Sequence, residues 1–579
     1  RIAARLWRDG TLDNGVIAHE WGHYLSNRLV ANATGLSTNH SAGMGEGWSD
    51  FLAMLVFVKD EDRYLPTNAN FNGVYPMGSP VLASPQLQPY DSWGANPYSY
   101  YGIRRFPYSR DMTKNPLTFK HIVNGNPLPG TPFFGQSGAS NAEVHNTGEV
   151  WASMLWECYS NLLNDPRLTF AQAQDRMKRY LVAGFKMTPS APTFTEARDA
   201  LLSAMLAQDG QDFAACAQGF AKRGLGFGAI SPDRYSGTNA GAIESFTVGG
   251  ALVITAGTLT VDNTSRCFDL DAVLDNNETG KVNVTVRNIG VTTLSATTVS
   301  LSSSNPHLTF PSGTSVAVPS TSPGQSVTVS VPVKLVGASG IEYVTVTATA
   351  SDPGLATAPA VAQGAWTVNA DDKANQSATD DMESPNTKWV AGSSLPPNDA
   401  WTWRRVTIAA NDHRWLGPDA GGPLLTWLQS PPLNVGAGAF SFTFQHRHSF
   451  EFDAGGNYDG GQIQISTNNG GSWTSIGASA VPGYNGTLIA YGGNLNPLAG
   501  QQAYTKTSAG YPALQPVTVS LGTTYANQTV LVRFAIGTDN GAGAPGWEID
   551  NVAFTGIGNT PFNVIGPNAF VPPAVCTAP

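Results

Sequence analysis

Near its start the chain carries Asn14-Gly15-Val16-Ile17-Ala18-His19-Glu20-Trp21-Gly22-His23-Tyr24-Leu25-Ser26-Asn27-Arg28-Leu29, which contains His-Glu-x-x-His. On a helix His19 and His23 fall one turn apart on the same face, so their ring nitrogens can converge on one ion. Glu20, slightly round the helix, is placed to hold a metal-bound water and act as general base. Either Asp13 or Asn14 can cap the helix, and an apolar-periodic run carries it. Catalytic zinc keeps three protein ligands and an open position, so a third ligand is required. Gly43-Met44-Gly45-Glu46-Gly47-Trp48-Ser49-Asp50-Phe51 offers one. Here Glu46 is expected to open a second, strongly apolar helix and bind the metal. Asp50, one turn further on the same face, is expected to accept the second ring N–H of a ligating histidine and fix its tautomer.

These two blocks, together with Gly102-Ile103-Arg104-Arg105-Phe106-Pro107-Tyr108-Ser109, Lys114-Asn115-Pro116-Leu117-Thr118 and Val144-His145-Asn146-Thr147-Gly148-Glu149-Val150-Trp151-Ala152, closely resemble the fungalysin family. Fungalysins are secreted zinc metallopeptidases, gluzincins distantly related to thermolysin, and the likeness fades by about residue 230. It implies a mainly α gluzincin-type peptidase subdomain over 1–232, a zinc cofactor, protein or peptide substrates and an extracellular location. Set against the thermolysin pattern, it also implies that His145 hydrogen-bonds the oxyanion of the tetrahedral intermediate, although here the glycine stands one residue nearer. Glu143 or another acid could orient that imidazole. Arg104 and Arg105 are open to two readings, a grip on a substrate carbonyl or structural ion pairs. Family members carry a β-rich subdomain ahead of this helix, so the resemblance implies an N-terminally truncated chain of the bacterial type with appended β modules. The competing reading is therefore a zinc-binding but inactive fragment whose β modules serve binding or adhesion.

At 579 residues the chain exceeds one core and is expected to be multidomain. A formal net charge of −10 argues against nucleic acid or an anionic membrane as partner, and no apolar run is long enough to span a bilayer. A monomer is expected. Residues 242–370 alternate Val, Thr and Ser between Gly, Pro and Asn turns, as Val282-Asn283-Val284-Thr285-Val286 does, and read as an immunoglobulin-like β-sandwich. Polar residues 371–379 read as a linker, 380–560 as a jelly-roll β-sandwich and 561–579 as a loose tail. The second module resembles jelly rolls appended to secreted bacterial peptidases, in which its Asp-Gly-Gly and Gly-Trp-x-x-Asp segments come together.

Asp269, Asp271, Asp275 and Glu278 present hard oxygens at intervals suited to calcium. Glu383, Glu451, Asp459 and Asp550 are candidates for a second calcium site, between strands. His446 and His448 share one face of a strand without a third ligand and read as structural. Trp401, Trp403, Trp415 and Trp473 could stack on sugars, but aromatic residues of this kind more often fill a core. Four cysteines allow three full pairings. Cys216 with Cys267 is the expected bridge, joining the helical region to the next domain, and Cys158 is expected buried and free.

Overall fold

The computed structural model describes residues 9–31, 35–79, 98–130, 138–261, 269, 271–395, 401–490, 493 and 495–570. Its first part is helical. Helix α1 spans Asn14–Leu29, capped by Asp13, which accepts from Gly15 N. Helix α2 spans Asn39–Phe57. The sequence reading placed the start of this helix at Glu46; it lies nearly two turns earlier, where Thr38 and Ser41 cap each other. Helices α3 (Val144–Leu163), α4 (Phe170–Met187), α5 (Phe194–Leu206) and α6 (Gly210–Lys222) follow.

Packing explains the glycines that flank Glu46 in α2. A Cβ on Gly47 would come within 2.4 Å of Gly148 O, and one on Gly43 within 2.6 Å of Thr147. Gly148 in turn faces the Cβ of Glu46 at 2.6 Å. Helices α2 and α3 therefore cross with backbones nearly touching, which bare glycine positions permit. The intrinsic helix cost of glycine, about 1 kcal/mol each, is offset by the burial around the crossing. Trp48 and Trp151 meet edge to face at 5.6 Å, with Phe51, Trp156, Phe194 and Phe220 in the same core.

The cysteine pairing differs from expectation. Cys158 on α3 is bonded to Cys216 on α6, 58 residues away, so Cys158 is not free and Cys216 does not join Cys267. Gly219 lies one turn from Cys216, and a Cβ there would come within 2.8 Å of Cys158 N. The same close approach of α3 and α6 brings the two sulfurs together. Cys267 and Cys576 lie outside the described residues. Closing a loop of this size restricts the unfolded chain by about 4 kcal/mol in the chain-entropy estimate.

The remainder is all β, in several antiparallel sheets. Strands β1 (Leu252–Val261), β2 (Thr279–Asn288), β3 (Thr298–Ser303), β4 (Leu308–Thr309), β5 (Ser315–Ala317), β6 (Ser326–Leu335), β7 (Glu342–Ser351) and β8 (Ala360–Val368) form two four-stranded sheets. Their orders are β1-β2-β6-β4 and β5-β3-β7-β8. Alternation buries Val282, Val284 and Val286 from one sheet against Val344 and Val346 from the other in a shared core.

The second β unit has two larger sheets, one containing Phe440–Ser449 and Gly546–Thr555, the other Gly460–Ser466 and Thr529–Thr538. Trp547, Phe442, Phe444, Ile463 and Ile536 share its core. Trp401, Trp403 and Trp415 are buried. Trp473 is half-buried, with the Arg533 guanidinium 4.1 Å from its ring centre. Two expectations about the ends of this unit are corrected. The polar stretch 371–379, read as a linker, lies mostly in a strand, Ala370–Ser377. That strand pairs antiparallel with Phe562–Pro567, within the stretch read as a loose tail. Buried Phe562 anchors the pairing against Trp389 and Phe554, so polar composition alone did not reveal it. The unit also touches the helical part, since Gly543 N donates to Ser37 O just ahead of α2.

Candidate metal centre

Helices α1 and α2 pack directly, and a Cβ on Gly22 would lie 2.6 Å from Ser49 Cα. That proximity carries the histidine face of α1 onto the acidic face of α2. His19 Nε2 and His23 Nε2 lie 3.1 Å apart. Glu46 reaches His19 Nε2 at 3.3 Å and His23 Nε2 at 3.5 Å through its two oxygens. Two imidazole nitrogens on one tetrahedral zinc, each about 2.05 Å from it, would stand about 3.3 Å apart. The donor set of two nitrogens and one carboxylate fits zinc with an open position, and Glu46 Oε2 is buried without a hydrogen-bond partner. Three ligand atoms, one from each residue, lie within 4.8 Å of one another.

Asp50 lies behind this group, fully buried, and accepts from His19 Nδ1 at 2.7 Å. The same carboxylate receives Arg104 through Nε at 2.6 Å and Nη2 at 2.8 Å, and the Tyr108 hydroxyl. Burial would raise the Asp50 carboxyl, but Arg104 and His19 hold it well below the usual range. Burial likewise lowers the His19 imidazole, yet the neighbouring Asp50 and Glu46 carboxylates outweigh it and hold it up at about 9. Glu46 is held well below its ordinary value by His19 and His23 against its own burial. Arg105 makes a buried ion pair with Glu149 at 2.7 Å. Both arginines are thus engaged in structural pairs. Sequence reasoning missed that Arg104 and Tyr108 meet at Asp50; the adjacency of Arg104-Arg105 to an apolar run was the available signal.

Glu20 sits on the exposed side of α1 next to His19. His145 projects from the first turn of α3, with Nε2 3.5 Å from Glu46 Oε2 and Nδ1 2.6 Å from Glu143 Oε1. The structure therefore brings His145 to the group, and Glu143 orients it.

The acids considered for calcium divide. Asp269, Asp275 and Glu278 come together, as do Asp269, Asp271 and Asp371. Burial, then repulsion from neighbouring acids, pushes Asp275 up to about 8. Burial is also the main cause that pushes Glu278 up to about 7. In the second unit Glu451 and Asp459 join Asp539 rather than Glu383 or Asp550. Pairing of Gly460 with Gly537 sets Asp459 beside Asp539, whose N–H it accepts at 2.7 Å. Asp550 stands mid-strand near Asp412 and Arg414, and Glu383 is taken by His413 at 2.7 Å. The four acids therefore do not form one site.

His446 and His448 are buried; His446 Nδ1 accepts from Trp547 Nε1 at 3.0 Å. Burial lowers them to about 3 and about 4 from an ordinary 6.5. Between pH 6.5 and about 4 the unfolded chain binds more protons at these positions, so stability falls as pH drops through that window. By about pH 4.5 each costs about 3 kcal/mol. Urea unfolding followed by tryptophan fluorescence should show an earlier midpoint at the lower pH, with a shallower pH dependence in His446→Gln. A midpoint equal at both pH values would refute the assignment.

The chain is similar to known proteins. It is 36% identical over 235 residues to "Extracellular metalloproteinase mep" of Aspergillus terreus, covering 38% of this chain and 31% of that protein. It is 36% identical over 247 residues to "Extracellular metalloproteinase 9" of Uncinocarpus reesii, covering 40% of this chain and 32% of that protein. The chain thus spans about a third of the length of these curated relatives. A solved structure of carbohydrate-binding modules from the β-sandwich superfamily overlaps 53% of this chain and 98% of its own at 11% identity and a TM-score of 0.20, too slight a likeness to argue from. Residues 3–229 match the family model of the fungalysin metallopeptidases, M36.

Proposed function

We propose that the chain acts as part of a secreted zinc endopeptidase that hydrolyses peptide bonds of extracellular proteins. The observation that carries this reading is the convergence of His19 Nε2, His23 Nε2 and Glu46, with Asp50 behind His19. His19, His23 and Glu46 would hold the zinc, which when bound supplies Lewis acidity toward a peptide carbonyl and the attacking water. The Asp50 carboxylate keeps the His19 proton on Nδ1, leaving the Nε2 lone pair free to ligate. The Glu20 carboxylate takes a proton from the attacking water and delivers it to the leaving amine. His145, whose Nδ1–H donates to Glu143, would in its doubly protonated form offer Nε2–H to the negative charge that develops on the carbonyl oxygen.

Extracellular action follows the printed names of the relatives, and no described helix is long and apolar enough to cross a membrane. Within this reading the chain is a monomer, residues 242–370 are an immunoglobulin-like sandwich and 380–560 a jelly roll. Calcium suits Glu451, Asp459 and Asp539 in the latter, where Asp459 is fully buried with Oδ2 unpartnered.

Metal analysis and hydrolysis of an unfolded protein substrate test the reading together. About one zinc per chain is expected at this site, with hydrolysis lost on chelation and restored by zinc. Stoichiometric zinc without hydrolysis would favour a metal-binding fragment; no zinc at His19 and His23 would overturn both readings.

A further inference from the structure

The peptidase reading leaves unused the acids between β1 and β2. The sequence contributes four of them, and the fold adds a fifth from elsewhere: Asp371, on the Ala370–Ser377 strand that joins the two β units. Ligand atoms from Asp269, Asp275 and Glu278 all lie within 4.8 Å of one another, and so do those from Asp269, Asp271 and Asp371. Asp269 belongs to both sets.

A cluster of acids alone proves nothing, because acids gather on surfaces without any ion. Asp275 supplies the independent observation. It is 2% exposed, and neither carboxylate oxygen has a hydrogen-bond partner. Glu278, equally buried, accepts from Asp275 N at 2.8 Å and so turns toward the same space. Among the described residues the cation paired with the group is Lys373, 3.6 Å from Asp371 Oδ2, and its side chain is 43% exposed. Buried carboxylates without partners are costly, and a bound cation would satisfy them.

The donors are all oxygen, which excludes soft-metal preferences and favours a hard divalent ion. Opposite ligands of calcium stand about 4.8 Å apart, twice a bond of about 2.4 Å, whereas magnesium demands a tighter octahedron. The junction is already tied to the loop: Asn369 N donates to Leu274 O at 3.0 Å, and Asn276 N donates to Asn369 Oδ1 at 3.1 Å. Asp371 follows two residues later.

We propose that Asp269, Asp271, Asp275, Glu278 and Asp371 form a calcium site that fastens the junction between the two β units. The ion cross-links the loop ahead of β2 to the first strand of the following unit. It holds the angle between them without taking part in peptide hydrolysis.

Hydrogen exchange of the full chain with and without millimolar calcium tests this. In the wild type, amides over residues 271–280 and 369–373 should exchange about tenfold more slowly with calcium present. Asp275→Asn should abolish that slowing. Asp371→Asn should abolish it over 369–373 and weaken calcium binding about tenfold. Without calcium, Asp275→Asn should melt no lower than the wild type, because the amide keeps the shape and removes a charge; this separates lost binding from misfolding. No calcium-dependent slowing in the wild type, equal slowing in Asp275→Asn, or the same slowing with magnesium alone would overturn the calcium site. Full slowing over 369–373 in Asp371→Asn would overturn the fastening of the junction.

Discussion

Glu20→Gln leaves zinc bound at one equivalent but slows peptide hydrolysis about 10²–10⁴-fold, the contribution of a positioned general base. The amide matches the carboxylate in shape and lacks only the ability to take a proton from water. Because Glu20 is exposed and outside the ligand group, neither stability nor zinc affinity should change. The loss should lie in kcat, with KM little altered, since the proton moves only in the transition state. Equal zinc content and equal kcat in variant and wild type would remove Glu20 from the mechanism.

Asp50→Asn is expected to damage both the fold and the metal site. The carboxylate is fully buried among His19 Nδ1, the Arg104 guanidinium and the Tyr108 hydroxyl. An amide leaves the Arg104 charge buried without its counter-ion, a loss of about 3–5 kcal/mol. Its NH₂ must replace one of the two accepting oxygens, either Oδ1, which takes both His19 Nδ1 and Arg104 Nη2, or Oδ2, which takes Arg104 Nε and the Tyr108 hydroxyl. Zinc affinity should therefore fall about 10–100-fold as His19 loses its fixed tautomer. Thermal unfolding of the zinc-free protein reads the first effect and a zinc titration reads the second. An unchanged zinc affinity would mean that Asp50 supports the helices but does not tune the ligand. A metal-free melting temperature equal to wild type would dismiss the buried-charge argument.

Of the site, the histidines and their carboxylates were legible because each depends on local geometry. Spacing of i, i+4 on a helix places His19 beside His23, and Glu46 beside Asp50, whatever the rest of the chain does. The start of α2 was not legible in the same way. Gly43 and Gly47 carry no side chain because α3 is laid across them, with contacts at Thr147 and Gly148 that no spacing within the segment announces. That displacement matters chemically. Glu46 sits inside a helix, so its low carboxyl owes to His19 and His23 and not to a first-turn dipole.

The β region shows the same division. Alternation in Val282, Val284 and Val286 announced a strand with one buried face, and β2 has it. Polarity over 371–379 announced a linker, yet its partner strand lies nearly 200 residues away, beyond any local pattern.

By itself, then, the sequence determined the residue chemistry and the helical spacing of the side chains in the candidate metal centre, because turn-scale geometry is fixed by the backbone. Only the tertiary structure decided that Cys158 meets Cys216, that Arg104 and Tyr108 meet at Asp50, and that Asp371 joins the acids before β2. Those meetings follow from which faces pack together, and packing is settled by burial across the whole chain rather than by spacing within a segment.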